Sequence, residues 1–167
     1  MLIITGGQSG GDLGGNYFAL KHSIPTEINA ERKYKPLYDK VPKDIKINIV
    51  SRKKAQQGGW IKRREYNVKK SDMTIILLKD PIDNTRGSLG TFHDCERFGK
   101  DVLYINIYSH KGKYYRYSVF GNPWGVVIGI DNAKSLISHI NPEIINIAGQ
   151  RDLVRNDVIK FLEELLL

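Results

Sequence analysis

The opening of this chain constrains its fold more than any other stretch. Met1-Leu-Ile-Ile-Thr5 is a short apolar run that stops abruptly at Gly6-Gly7-Gln8-Ser9-Gly10-Gly11-Asp12. Such a run reads as a buried strand entering a tight turn. Beyond the turn Leu13, Tyr17 and Leu20 recur at helical spacing, so the order is strand, glycine turn, helix. That is the start of a βαβ unit.

Later segments repeat the pattern. A polar helix from about Gln57 to Lys70, carrying Trp60, Arg64 and Val68, leads into Met73 to Leu78, a continuous apolar run of the kind buried on both faces of a parallel sheet. The loop Lys79 to Gly87, a helix from Ser88 to Phe98 and a strand from Val102 to Ile107 follow. Asp131 suits the N-cap of a helix through Ile140, Ile144 to Ile147 reads as a strand, and Val154, Val158, Phe161, Leu162 and Leu165 mark a closing helix. Between residues 31 and 56 prolines and lysines interrupt any period, and only Ile45 to Val50 alternates as an edge-type strand. Alternating strands and helices predict an α/β fold: a Rossmann-like three-layer sandwich with a mostly parallel sheet. Residues 108–130 break the rhythm. There Tyr114, Tyr115, Tyr117, Phe120 and Trp124 lie among Lys111, Lys113 and Arg116, which reads as a hairpin-like insertion serving an aromatic mini-core, a subunit contact or base stacking.

The 167 residues suit one domain spanning 1–167. Cys95 has no second cysteine to pair with and reads as a small core residue. With no secretory signal at the start, a reducing cytoplasm is expected. No apolar run approaches the roughly 20 residues that cross a bilayer as a helix, and no membrane partner is expected. Lys and Arg outnumber Asp and Glu by 26 to 18, and the excess is regional. Residues 31–70 hold 14 basic and 4 acidic side chains, which leaves the rest of the chain two charges negative. A solvated loop, a lid over a polyphosphate and a nucleic-acid face all fit that segment.

Two turns carry the candidate chemistry. In Gly6 to Asp12 the glycines let backbone amides approach a ligand, and the following helix presents partial positive charge. The spacing is neither the dinucleotide fingerprint nor the phosphate loop with its lysine. Thr85-Arg86-Gly87-Ser88-Leu89-Gly90-Thr91 stands at a second junction of strand and helix, where Arg86 can grip an anion and Ser88 and Thr91 offer hydroxyls. Two such turns can face one anion across the carboxyl edge of a sheet. His22, His93, His110 and His139 show no metal-ligand spacing, so neither a metal nor a cofactor is expected.

The sequence resembles a known family. Gly6-Gly7-Gln8-Ser9-Gly10-Gly11-Asp12, Arg64-Glu65-Tyr66-Asn67-Val68-Lys69-Lys70-Ser71-Asp72, Arg86-Gly87-Ser88-Leu89-Gly90-Thr91 and Ile145-Asn146-Ile147-Ala148-Gly149-Gln150-Arg151 are similar, in order, to the motifs of the "Putative molybdenum carrier" family of the SLOG superfamily. That superfamily includes nucleotide-signal sensors, a DNA-processing protein and phosphoribohydrolases. The resemblance implies a ligand over the two glycine turns, a homo-oligomer, and roles for Gly6, Gly7, Gln8, Ser9, Gly10, Asp12, Asn67, Asp72, Gly87, Ser88, Thr91, Ala148, Gly149 and Arg151; Gly90 of the second turn is a further candidate ligand contact. Arg86 replaces the family's glycine, no glycine-tryptophan-cysteine-proline pattern follows Pro25, and the aromatic insertion is extra.

The leading expectation is binding of a phosphate-bearing nucleotide or nucleotide-derived signal by a sensor, carrier or sequestering protein. A second is hydrolysis of the N-glycosidic bond of a nucleoside monophosphate. The phosphoribohydrolase branch places a glutamate soon after its Gly-Thr, and here Asp94 and Glu96 are the candidate catalytic carboxylates. An oxyanion carrier for molybdate and a nucleic-acid binder complete the set.

Overall fold

The computed structural model describes residues 1–31, 41–53, 58–82, 86–116 and 124–167, with Trp124 described by its backbone alone. Its elements are β1 (Leu2–Thr5), α1 (Gly11–Lys21), β2 (Thr26–Glu31), β3 (Lys46–Ser51), α2 (Gly59–Lys70), β4 (Met73–Leu78), α3 (Arg86–Phe98), β5 (Asp101–Asn106), β6 (Lys111–Arg116), β7 (Trp124–Gly129), α4 (Ile130–Ile140), β8 (Ile144–Gly149) and α5 (Arg155–Leu166). Eight strands form one sheet in the order β3-β2-β1-β8-β4-β5-β6-β7. All neighbours are parallel except β5 with β6 and β6 with β7.

Strand alternation divides the core. Ile3, Ile75, Leu77, Leu103, Ile105, Ile145 and Ile147 point to the face covered by α1, α4 and α5, where they meet Phe18, Ala133, Ile137, Val158, Phe161 and Leu162. Ile76, Leu78 and Val102 point the other way, onto Val68 of α2 and Cys95 of α3. All six residues of β4 are buried, each large apolar one contributing about 1.5–3 kcal/mol. Helices on both faces of a mostly parallel sheet make this the three-layer α/β sandwich that the alternation predicts. Among the described residues no helix is long and apolar enough to cross a membrane.

The topology creates the crevice. β1 leads through α1 to β2, while β4 leads through α3 to β5 on the opposite side and across the opposite face. β8 enters last and fills the slot between them. Where neighbouring crossovers diverge, the carboxyl ends of the strands stay uncovered.

Several boundaries differ from expectation. β2 was not anticipated, because its Glu27, Asn29 and Glu31 interrupt the apolar pattern. Helix α3 starts two residues before Ser88, which therefore lies inside it. Helix α4 starts at Ile130 with Gly129 as its cap, so Asp131 belongs to the first turn and is not the cap. The aromatic segment does contain a hairpin, β6 with β7, continuing the sheet beyond β5. Tyr114 is buried with its hydroxyl on Asp101, and Tyr115 packs on Phe92 and Tyr104. Tyr117 and Phe120 lie outside the described residues, as do 32–40 and 54–57 of the basic segment and Thr85 of the second turn.

Candidate functional site

A cavity of about 680 Å³ opens where the carboxyl ends of β1, β8 and β4 meet the face of α2 and the start of α3. Gly6, Gln8 and Asp12 come from the first turn, and Arg86, Gly87, Ser88 and Thr91 from the second. Ala148, Gly149, Gln150 and Arg151 rise from β8 between them. The strand order makes this meeting unavoidable, because β8 hydrogen-bonds to both β1 and β4.

The first turn is closely packed. Gly10 has φ +75°, and a Cβ there would stand 2.1 Å from the Gln150 carbonyl oxygen. The Gly11 amide donates to that same oxygen at 3.1 Å, and the Gly7 amide donates to the Thr5 hydroxyl at 3.0 Å. The Asp12 carboxylate accepts from the amides of Gln8, Gly149 and Gly6. Part of the amide cradle is thus filled from within by the protein's own anion. Burial drives the Asp12 pKa up to about 6, against the opposing pull of Arg63 and those amides.

Helix α2 supplies a wall that the motifs did not reveal in full. Trp60, Arg63, Arg64 and Asn67 all line the cavity, at the i, i+3, i+4 and i+7 positions of one helical face. The Arg63 guanidinium is buried, donates to the Gly6 carbonyl at 3.1 Å and pairs with Glu31 at 3.4 Å, yet its Nε has no partner. Asn146, also on the cavity wall, donates to Thr74 and leaves its buried Oδ1 unpartnered. Arg64 donates from Nε to Asp94 at 2.6 Å and lies 5.4 Å from the Trp60 ring centroid. Arg86 is exposed at the rim and has no ion-pair partner among the described residues.

The lining is mixed in charge. Arg63, Arg64, Arg86 and Arg151 face Asp12, Glu31, Asp80 and Asp152, four cations against four acids. Asp152 is engaged by Lys79 and Glu31 by Arg63. Gln150 receives the Lys79 and Asp80 amides, tying the β4 loop to the end of β8.

Of the residues singled out from sequence, Gly6, Gln8, Asp12, Asn67, Arg86, Gly87, Ser88, Thr91, Ala148, Gly149 and Arg151 come together on this cavity. Gly7, Ser9, Gly10 and Gly90 are not on its lining. Gly90 instead leaves room for Arg64, whose Nη1 would lie 2.3 Å from a Cβ. Asp72 stands at the opposite edge of the sheet, where its carboxylate accepts from the amides of Glu143 and Ile144. There it anchors a strand end, off the cavity lining. Asp94 is buried against Arg64, not solvated, and lies off the lining; Glu96 is half exposed and faces His93 at 3.4 Å. Glu31, Trp60, Arg63, Arg64, Asp80, Asn146, Gln150 and Asp152 line the cavity and were missed as site residues. Only α2 carried a usable signal, the helical spacing of 60, 63, 64 and 67.

Comparison with known proteins adds a family. Residues 3–167 match the family model described as "Circularly permutated YpsA SLOG family". A solved structure of a "Putative molybdenum carrier protein" from Syntrophus aciditrophicus SB is similar with a TM-score of 0.71 and 24% identity, over 99% of this chain and 94% of that one. That likeness shows the fold. No curated protein matches the chain.

Proposed function

Because this chain belongs to the circularly permutated YpsA SLOG family, we propose that it binds a phosphate-bearing nucleotide or nucleotide-derived signal in the cavity at the carboxyl ends of β1, β8 and β4. One observation carries the reading. Two glycine turns some eighty residues apart in sequence line the same cavity, together with four arginines. The phosphate belongs at the start of α3, where Gly87 leaves its Cα bare, Arg86 has no ion-pair partner among the described residues and the helix N-terminus favours negative charge. The first turn, with Asp12 already in its cradle, contributes shape and the Gln8 side chain rather than a second anion hole.

The size and polarity of the cavity favour a nucleotide over a bare oxyanion. Its 680 Å³ falls within the range of roughly 300–1,000 Å³ that encloses drug-sized ligands. A tetraoxyanion needs a small cage of donors, whereas the cavity lining also carries the acids Asp12, Glu31, Asp80 and Asp152, a mixed surface that suits the donors and acceptors of a ribose or base. The name of the solved relative points to a molybdenum cargo for that protein. Molybdate is accordingly a competitor to include in the test. Turnover is not part of the proposal, since neither Asp94 nor Glu96 reaches the cavity lining.

Calorimetry and thermal shift with nucleoside mono- and diphosphates, ADP-ribose, phosphate and molybdate test the reading. Saturable one-to-one binding of at least one nucleotide, weakened in Arg86→Gln, is the expected result. Silence from every nucleotide, or tighter binding of molybdate than of any of them, refutes it.

A further inference from the structure

Deepening that reading, and resting on it, we propose that Trp60 is the surface on which the site stacks an aromatic base, so that the ligand is a base-bearing nucleotide and not a sugar phosphate. Two aromatics of α2 are exposed, Tyr66 at 40% and Trp60 at 39%, while the core contact of the helix is made by Val68. Of the two, Trp60, in the first turn, lines the cavity. A large aromatic left half-open next to a polar cavity has its hydrophobic area still to bury.

Its surroundings hold it for that task. The Arg64 guanidinium lies 5.4 Å from the indole centroid, within cation–π range. Asp94 fixes that guanidinium through the 2.6 Å bond to Nε, and Gly90 gives it space against α3. The chain Asp94, Arg64, Trp60 thus spans from the body of α3 to the cavity. It gives the buried acid of α3 a structural purpose as a positioning residue. Trp60 and the phosphate-side group Arg86-Gly87-Ser88 line the same cavity, so one ligand can meet both.

The stacking face tolerates any base, because every base has a π-face. Affinity added by the base is therefore the quantity to measure. Isothermal titration of the four ribonucleoside 5′-monophosphates, ribose 5-phosphate and inorganic phosphate into the wild-type protein and into Trp60→Leu reads it directly. At least one monophosphate binds the wild type roughly ten-fold or more tightly than ribose 5-phosphate does. Trp60→Leu removes that advantage while leaving ribose 5-phosphate unchanged, and Trp60→Tyr restores most of it. Quenching of tryptophan fluorescence by the same monophosphate disappears in Trp60→Phe.

The exposure of Trp60 keeps these variants foldable, and circular dichroism verifies it. Equal affinity for monophosphate and ribose 5-phosphate in the wild type, or a base advantage that survives in Trp60→Leu, overturns the stacking proposal and leaves the phosphate site standing. Failure of every phosphate probe, with the nucleoside diphosphates and ADP-ribose included, overturns both.

Discussion

Gly10→Ala and Gly87→Ala are the same chemical change and have opposite expected effects. At Gly10 the backbone has φ +75° and ψ −121°, a conformation that an alanine adopts only at a cost of about 1–2 kcal/mol. The added carbon would lie 2.1 Å from the Gln150 oxygen and 2.6 Å from the Arg151 carbonyl carbon, both backbone atoms that cannot swing aside. Overpacking of this kind adds about 1–3 kcal/mol, so the total loss is about 2–5 kcal/mol. For a chain of this size that lowers the melting temperature by roughly 4–20 °C. Gly87 is exposed in the first turn of α3, and a Cβ there meets none of the described residues within 4 Å. Its replacement by alanine gains roughly 0.5–1 kcal/mol of helix stability, while the new methyl group occupies the place where a phosphate approaches. Urea unfolding gives both stabilities and calorimetry gives the affinity. A wild-type midpoint for Gly10→Ala, or a Gly87→Ala protein that is destabilised, refutes the packing argument.

Other consequences are independent of that pair. Asp12 has a folded-state pKa of about 6 against 3.8 when exposed, so the native state binds the extra proton between those values and loses stability as pH rises through them. Relative to Asp12→Asn, which has no such titration, wild-type stability measured by urea unfolding falls by about 3 kcal/mol between pH 3.5 and pH 7; a constant difference contradicts the buried placement. Cys95 is fully buried with its thiol pKa pushed up to about 12, so a thiol reagent labels it only on unfolding, and labelling of folded protein at pH 8 is the adverse result. Asp94→Ala strands the Arg64 guanidinium, whose side chain is 16% exposed, and costs about 3 kcal/mol in a denaturant melt. A loss below about 0.5 kcal/mol would mean that the pair holds nothing in place.

The sequence made the sheet legible where strands were buried on both faces. Met73 to Leu78 and the glycine turn after Thr5 announce themselves because apolar continuity and its abrupt end have few other causes. β2 escaped notice for a physical reason. One of its faces is polar even inside the protein, with Glu27 bonded to Lys46 and Lys70, and Asn29 to Asn67. Its alternation is present, Ile28 and Ala30 inward on one side, but six residues with two acids and an asparagine look like a loop. At the site, turn residues were legible because glycine is tied to backbone shape. The arginines of α2 were less so: Arg63 and Arg64 share a helical face with Trp60 and Asn67, but nothing local shows that this face, and not the one carrying Lys69, covers a cavity. Only the paired strands β1, β8 and β4 bring that helix over the crevice. Asp72 shows that a residue within a shared motif can stand off the cavity and anchor a strand end.

The most direct test of a shared ligand follows individual amide signals in this 19.0 kDa chain. Heteronuclear NMR spectra recorded while a ribonucleoside 5′-monophosphate is added report Gly6 and Gly87 separately. If one nucleotide bridges the crevice, both signals move along the same saturation curve, and both curves weaken together in Arg86→Gln. Movement at only one of the two, curves with different midpoints, or no movement with any of the four nucleotides contradicts the account.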